Sequence, residues 1–314
     1  MNFQFRSNLI ITLFIIVIIG VTWILIELLS DSSGEVGPAL TENEIVSQEV
    51  SYLEKINQFS LQEFDDRQIL SHFVEAKSYF NFKNRPALLL EPRVTTYDES
   101  GKVNYVLSAQ RANYLDSGEI KFTEEVDIRS SGGVTHKINT EELIIGIKTD
   151  DLVSHKKVTY LGERGKIIAQ GMHMHTKQDK LKLTGKTIIY QDGGQRILTK
   201  NLYIDQSNGK KHYYSKEDTS YLAKYNKIYS SGIDLNMQTE LLTLAGKVEI
   251  LQKSGSKINT RNLSIDQSKG GEVYRTKESI RYQSKVADIS AIGMHYDAKN
   301  QKIKLTGGVV GRYE

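Results

Sequence analysis

Three stretches of this chain repeat one another at a fixed spacing, and that repeat limits the fold more than any other feature. Lys137-Ile-Asn-Thr140, Arg196-Ile-Leu-Thr199 and Lys257-Ile-Asn-Thr260 open the pattern. Gly171-Met172, Gly232-Ile233 and Gly293-Met294 follow. Leu181-Lys-Leu-Thr-Gly185, Leu242-Thr-Leu-Ala-Gly246 and Ile303-Lys-Leu-Thr-Gly307 come last. The two later sets keep an unchanged period of ~61 residues, and a fixed period of this kind means one supersecondary unit stacked on copies of itself. The opening set is slightly closer together between its first two copies. Ile120-Lys-Phe-Thr-Glu124 lies one further period upstream, and the second and third copies share Asn-Leu-x-Ile-Asp-Gln-Ser, from Asn201 and from Asn262.

The unit is β. Leu181 and Leu183 flank Lys182, Leu242 and Leu244 flank Thr243, and Met172 and Met174 alternate with His173 and His175. That is the period of two of a strand with one face inward. Ile138 and Leu143 are an odd number of residues apart, so a bulge or corner is required near Thr140–Glu142 if both face inward. Turn signals separate the strands at Asp192-Gly-Gly194, Ser207-Asn-Gly209 and Lys269-Gly-Gly271. No proline follows Pro92, which suits continuous strand pairing. The fold class predicted is all-β: an elongated two-sheet β-jelly-roll built from ~61-residue repeats, preceded by one N-terminal transmembrane helix.

That helix is read from Leu9 to Ile26, a stretch without a charge, with Trp23 near the far end. About 20 apolar residues cross a bilayer core. Arg6 precedes the segment and Asp31 and Glu35 follow it, so the N-terminus stays cytoplasmic and the rest is exported. A cleaved signal peptide is the rival, though its apolar core is shorter. Residues 31–66 carry nine acidic residues and one basic residue, leaving 67–314 strongly basic. Thr41-Glu-Asn-Glu44 has the form of a capping box, with Val46, Val50 and Leu53 at helical spacing. A short amphipathic helix and a solvated spacer are both open here. The division is therefore 1–30 anchor, 31–69 acidic linker, 70–190 first jelly-roll and 191–314 an extension continuous with it.

The usual chemical motifs are absent. With no cysteine, a disulfide framework, a cysteine nucleophile and Cys-ligated metal are excluded. Gly185-Lys186-Thr187 resembles the end of a phosphate loop, but Lys180 stands where that loop needs glycine. His173 and His175 share a strand face without a partner cluster and read as a solvent-facing row. No acid–base pair recurs with the repeat, so no enzyme, cofactor or nucleic-acid partner is implied.

Leu90-Glu-Pro-Arg-Val-Thr-Thr-Tyr-Asp98, Gly101 and Tyr105-Val-Leu-Ser-Ala-Gln-Arg-Ala112 add a further pattern. With the anchor and the β repeat, they resemble the LptC family, membrane-anchored periplasmic components of lipopolysaccharide transport. The likeness covers the anchor and residues 70–190, while the tail resembles LptA, a soluble bridge built from the same unit. The resemblance implies a single-pass inner-membrane protein with its bulk in the periplasm. It would accept lipopolysaccharide from an inner-membrane ABC exporter and pass it along an apolar groove toward the outer membrane. It would meet an LptA-like bridge protein by edge-strand addition, with Val309, Val310 and Tyr313 at the far end.

The groove positions read from alternation are Ile120, Phe122, Val126, Ile128, Leu143, Ile145, Met172, Met174, Leu181 and Leu183. In the extension they are Leu202, Ile204, Leu235, Leu242, Leu244, Leu263, Ile265, Ile303 and Leu305. The same rows serve equally as a closed core, and then the chain is a structural periplasmic β-spacer without lipid. Lipid contact along those rows separates the two readings.

Overall fold

The computed structural model describes residues 52–131, 136–162, 165–268 and 270–313. The anchor expected at 1–30 and most of the acidic block lie outside the described residues. Among the described residues, no helix is long and apolar enough to cross a membrane.

The long strands fold the chain into two walls because each changes partner halfway along. In strand Lys180–Gln191, residues 180–183 pair with 202–205, and residues 186–190 pair with 196–200. On its other side, the first half pairs with Gly171–His175 and the second with Gly165–Ala169. Leu241–Gln252 does the same one repeat later, and Glu119–Ser130 one repeat earlier. The corners form a spine, and the turns at the strand ends form an opposite mouth. The described residues make 24 strands and two short 3-10 turns, and every strand pair in the two walls is antiparallel.

The corners sit where the odd spacing requires them. Register shifts fall between Thr123 and Val126, Leu183 and Lys186, and Leu244 and Lys247. Thr123 pairs with Glu142 and Val126 with Thr140, so the expected bulge near Thr140–Glu142 is present. The extra residue belongs to the partner strand, where Glu124 and Glu125 have φ of 66° and 54°. In the next copies Gly185 and Gly246 take those corners at φ 71° and 70°, opposite Asn201 at 48° and Asn262 at 46°. Only glycine enters this region at little cost, and asparagine tolerates it best among the rest. Asn201 Oδ1 accepts the Gly185 N–H at 3.1 Å, and Asn262 Oδ1 accepts that of Gly246 at 3.0 Å. The threonine closing each opening motif is buried at the spine, where Thr140 meets Ser154 at 2.9 Å and Thr199 meets Ser215 at 3.1 Å.

One sequence expectation changes. Residues 54–64, expected in the acidic linker, are strand Glu54–Phe64, paired along its length with Leu70–Asn81. Its acidic and amide residues hide the alternation, yet Phe59 and Leu61 pack on the core and Phe59 stacks on Tyr79 at 4.8 Å. Residues 190 and 191 end strand Lys180–Gln191 at a hairpin within one ladder, and Tyr52–Glu314 is a single compact unit. Among the described residues, Glu54–Phe64 at one end and Lys302–Leu305 and Val310–Tyr313 at the other pair on one side only.

Candidate functional site

The inward side chains line up across strands into continuous rows. In one wall, cross-strand partners run Ile120, Ile145, Leu152, Met174, Leu181, Ile204, Tyr213, Leu235, Leu242, Ile265, Tyr274, Tyr296 and Ile303. At ~4.8 Å between strands, that row is about 58 Å long. The facing wall carries Val74, Val94, Leu107, Ile128, Ile138, Tyr160, Ile167, Ile189, Ile197, Tyr221, Ile228, Ile250 and Ile258. The rows exist because period-two alternation, corrected at each corner, keeps the same parity inward through every copy.

The groove positions read from the sequence all lie on this interior. Phe122, Val126, Leu143, Leu183, Leu202, Leu244 and Leu263 are fully buried, and Met172 is 1% exposed. Ile303 and Leu305 are only partly buried, because their strand, Lys302–Leu305, pairs on one side only among the described residues. The interior is therefore packed side chain against side chain along most of its length.

The mouth opposite the spine is stitched shut by polar groups that cross between the walls. At the second copy, the Tyr160 hydroxyl lies 2.6 Å from His136 Nδ1 and 3.3 Å from the Tyr213 hydroxyl, and it accepts from Gln206 Nε2 at 3.0 Å. At the third, Tyr221 and Tyr274 donate to the two oxygens of Glu272 at 2.6 and 2.7 Å. Gln195 Nε2 also donates to Glu272, at 2.9 Å, and Gln267 Nε2 donates to Tyr221 at 2.9 Å. Burial, with Tyr213 beside Tyr160 and Glu272 beside Tyr221 and Tyr274, raises the pKa of Tyr160, Tyr221 and Tyr274, so these hydroxyls stay protonated. At the first copy, Tyr105 donates to Asp179 at 3.2 Å and Asn104 Nδ2 to the Thr176 carbonyl at 2.8 Å. Beside them His72 is fully buried, 3.6 Å from Asp150, whose other oxygen holds Lys177 at 2.7 Å.

Sequence reasoning passed over these locks although they obey the repeat. Tyr160 and Tyr221, Tyr213 and Tyr274, and Gln206 and Gln267 each stand one period apart. The shared Asn-Leu-x-Ile-Asp-Gln-Ser motif is now legible residue by residue. The asparagine braces the corner, and the leucine and isoleucine face inward. The aspartate accepts the Ser207 or Ser268 hydroxyl at 2.6 Å, and the glutamine reaches the opposite wall. Hydrogen bonds from Ser268 and from Arg275 bring the Asp266 carboxyl down to about 2.

His173 is exposed and 3.0 Å from Asp151, and His212 stands 2.8 Å from Asp234 one repeat on. Among the described residues no group of three His, Asp or Glu could hold a metal ion. Gly185-Lys186-Thr187 is a corner, with the Lys186 N–H donated to Gln170 Oε1 at 2.9 Å. A sequence model described as "LptC: Lipopolysaccharide-assembly, LptC-related" matches residues 14–192 and 234–314. Its second segment lies in the tail expected to be LptA-like, so there too the match found is to the LptC-related model. No curated protein matches the chain.

Proposed function

Because the chain belongs to the LptC family, and thereby to lipopolysaccharide transport, we propose that it is a periplasmic carrier along whose interior the acyl chains of lipopolysaccharide travel. The observation that carries this reading is the pair of uninterrupted apolar rows running through every copy. Exposing acyl chains to water costs ~0.8 kcal/mol per methylene. Rows of near-identical slots replace water without creating one deep trap. The basic balance of residues 67–314 suits phosphates and acidic sugars.

Since the rows are packed and the mouth is locked, lipid enters by parting the walls. The locks are suited to that, because each crossing is a polar bond worth only ~0.5–1.5 kcal/mol net, or ~1.5–3 with a charged partner. Residues 9–26 anchor the chain in the inner membrane beside an ABC exporter that supplies the energy. The one-sided strands at the far end receive an LptA-like bridge by strand addition.

One observation favours the spacer reading: Leu183 and Leu244 are fully buried between locked walls, as in a closed core. The test uses the full chain extracted from membranes in polymer nanodiscs. The carrier reading expects co-purifying lipopolysaccharide and photo-crosslinks from Phe122, Leu183, Leu244 and Leu305. Leu183→Asp combined with Leu244→Asp should lower lipid retention. If neither retained lipid nor crosslinks are found, the spacer stands.

A further inference from the structure

Between the second and third locks, among the described residues, only the amide pair Gln191–Gln267, at 3.3 Å, bridges the mouth. A cavity of about 450 Å³ opens there, lined by Gln191, Gln195, Leu235, Met237, Gln267 and Glu272 among others. A small void of about 20 Å³ shares Gln191, Leu235 and Met237 and continues inward to Ile167 and Ile189, on the interior row. On the other side of Gln195 and Glu272 lies a second cavity of about 590 Å³, lined by Arg196, Lys224 and Lys299. Both larger volumes fall in the ~300–1,000 Å³ range of ligand sites.

The two cavities differ in chemistry. The first has an apolar floor, Leu235 and Met237, with Asp192 and Glu240 on its rim. The second brings three cations, and its one carboxylate, Glu272, is already bonded by Tyr221, Tyr274 and Gln195. Acids at one side repel a phosphate that the cations at the other attract. We propose that this gap is a side portal for a phosphate-bearing lipid. One acyl chain lies against Leu235 and Met237, and the head sits by Arg196, Lys224 and Lys299. The proposal rests on the lipid-carrier reading and narrows the parting of the walls to one lateral entry in the tail.

The experiment uses the full chain in phosphatidylcholine nanodiscs, with a photoreactive phenylalanine analogue at Met237 and, separately, at Leu183. The probes are hexadecyl phosphate, hexadecyltrimethylammonium and lipopolysaccharide. Hexadecyl phosphate should label position 237 well above the cationic probe. Arg196→Glu with Lys224→Glu and Lys299→Glu should cut that labelling roughly tenfold, with an unchanged unfolding midpoint. Equal labelling by both probes, an unaffected triple variant, or displacement by equimolar inorganic phosphate overturns the portal. Lipopolysaccharide adducts at position 183 with none at 237 remove the portal and leave the carrier. Adducts at 237 with none at 183 keep the portal and remove the continuous path.

Discussion

Tyr221→Phe deletes one hydroxyl from the third lock and leaves the ring, which is fully buried, in place. That hydroxyl donates to Glu272 at 2.6 Å and accepts from Gln267 at 2.9 Å. The first bond has a charged acceptor and is worth ~1.5–3 kcal/mol, the second ~0.5–1.5. Glu272 keeps Tyr274 and Gln195, and the Gln267 Nε2 donor keeps Gln191 Oε1 at 3.5 Å, so no partner is orphaned. Glu272 is half-buried, so solvent weakens its bond, and the net cost is about 1–3 kcal/mol. At ~1.4 kcal/mol per decade, opening of the mouth becomes roughly 5- to 140-fold more frequent. Hydrogen exchange by mass spectrometry reads this directly. Amides in Thr219–Leu222 and in Val273–Gln283 should exchange faster by that factor, while those near Tyr160 keep their protection. Under the carrier reading, lipopolysaccharide loading at Leu244 should also quicken. Unchanged exchange at both strands would refute the lock, and faster exchange without any lipid loading would support the spacer.

Leu244→Ala removes a fully buried side chain from the interior row and should cost ~2–5 kcal/mol in chemical unfolding. Gly246→Ala forces φ of 70° on a side chain, for about 1–2 kcal/mol, and brings its Cβ to 3.0 Å from Ser231. Gly255→Ala, at φ 87° with open space around it, should cost only the first part, so the difference in midpoint isolates the corner contact. His72 makes no hydrogen bond through either ring nitrogen, and burial lowers its pKa below 6.5, Asp150 opposing and Lys177 adding to the effect. The unfolded chain therefore takes up this proton first. Stability should be full above pH 6.5 and fall as pH drops from there toward the folded value. His72→Phe should flatten that slope in urea midpoints measured across the window, and an equal slope in both proteins would exclude His72 as its source.

Local rules in the sequence were enough for the strand faces, the corners and the stacking of like units. Alternation depends only on the pleat, and the left-handed turn at each corner selects Gly185, Gly246, Asn201 and Asn262 whatever lies beyond them. The odd spacing of Ile138 and Leu143 located a bulge before any partner strand was known. Glu54–Phe64 escaped because a strand paired on one side, with half its apolar residues exposed, has little alternation to read. The mouth was decided by tertiary structure alone. Tyr160 and Gln206 are 46 residues apart and stand on opposite walls. The repeat shows that both recur, but only the closeness of the walls makes their hydroxyl and amide meet. The same holds for the portal, where Leu235, Glu272 and Arg196 come from three strands or turns whose approach no local pattern encodes. Periodicity tells which way a side chain faces; the distance across the interior, set by packing of the whole ribbon, tells what it faces.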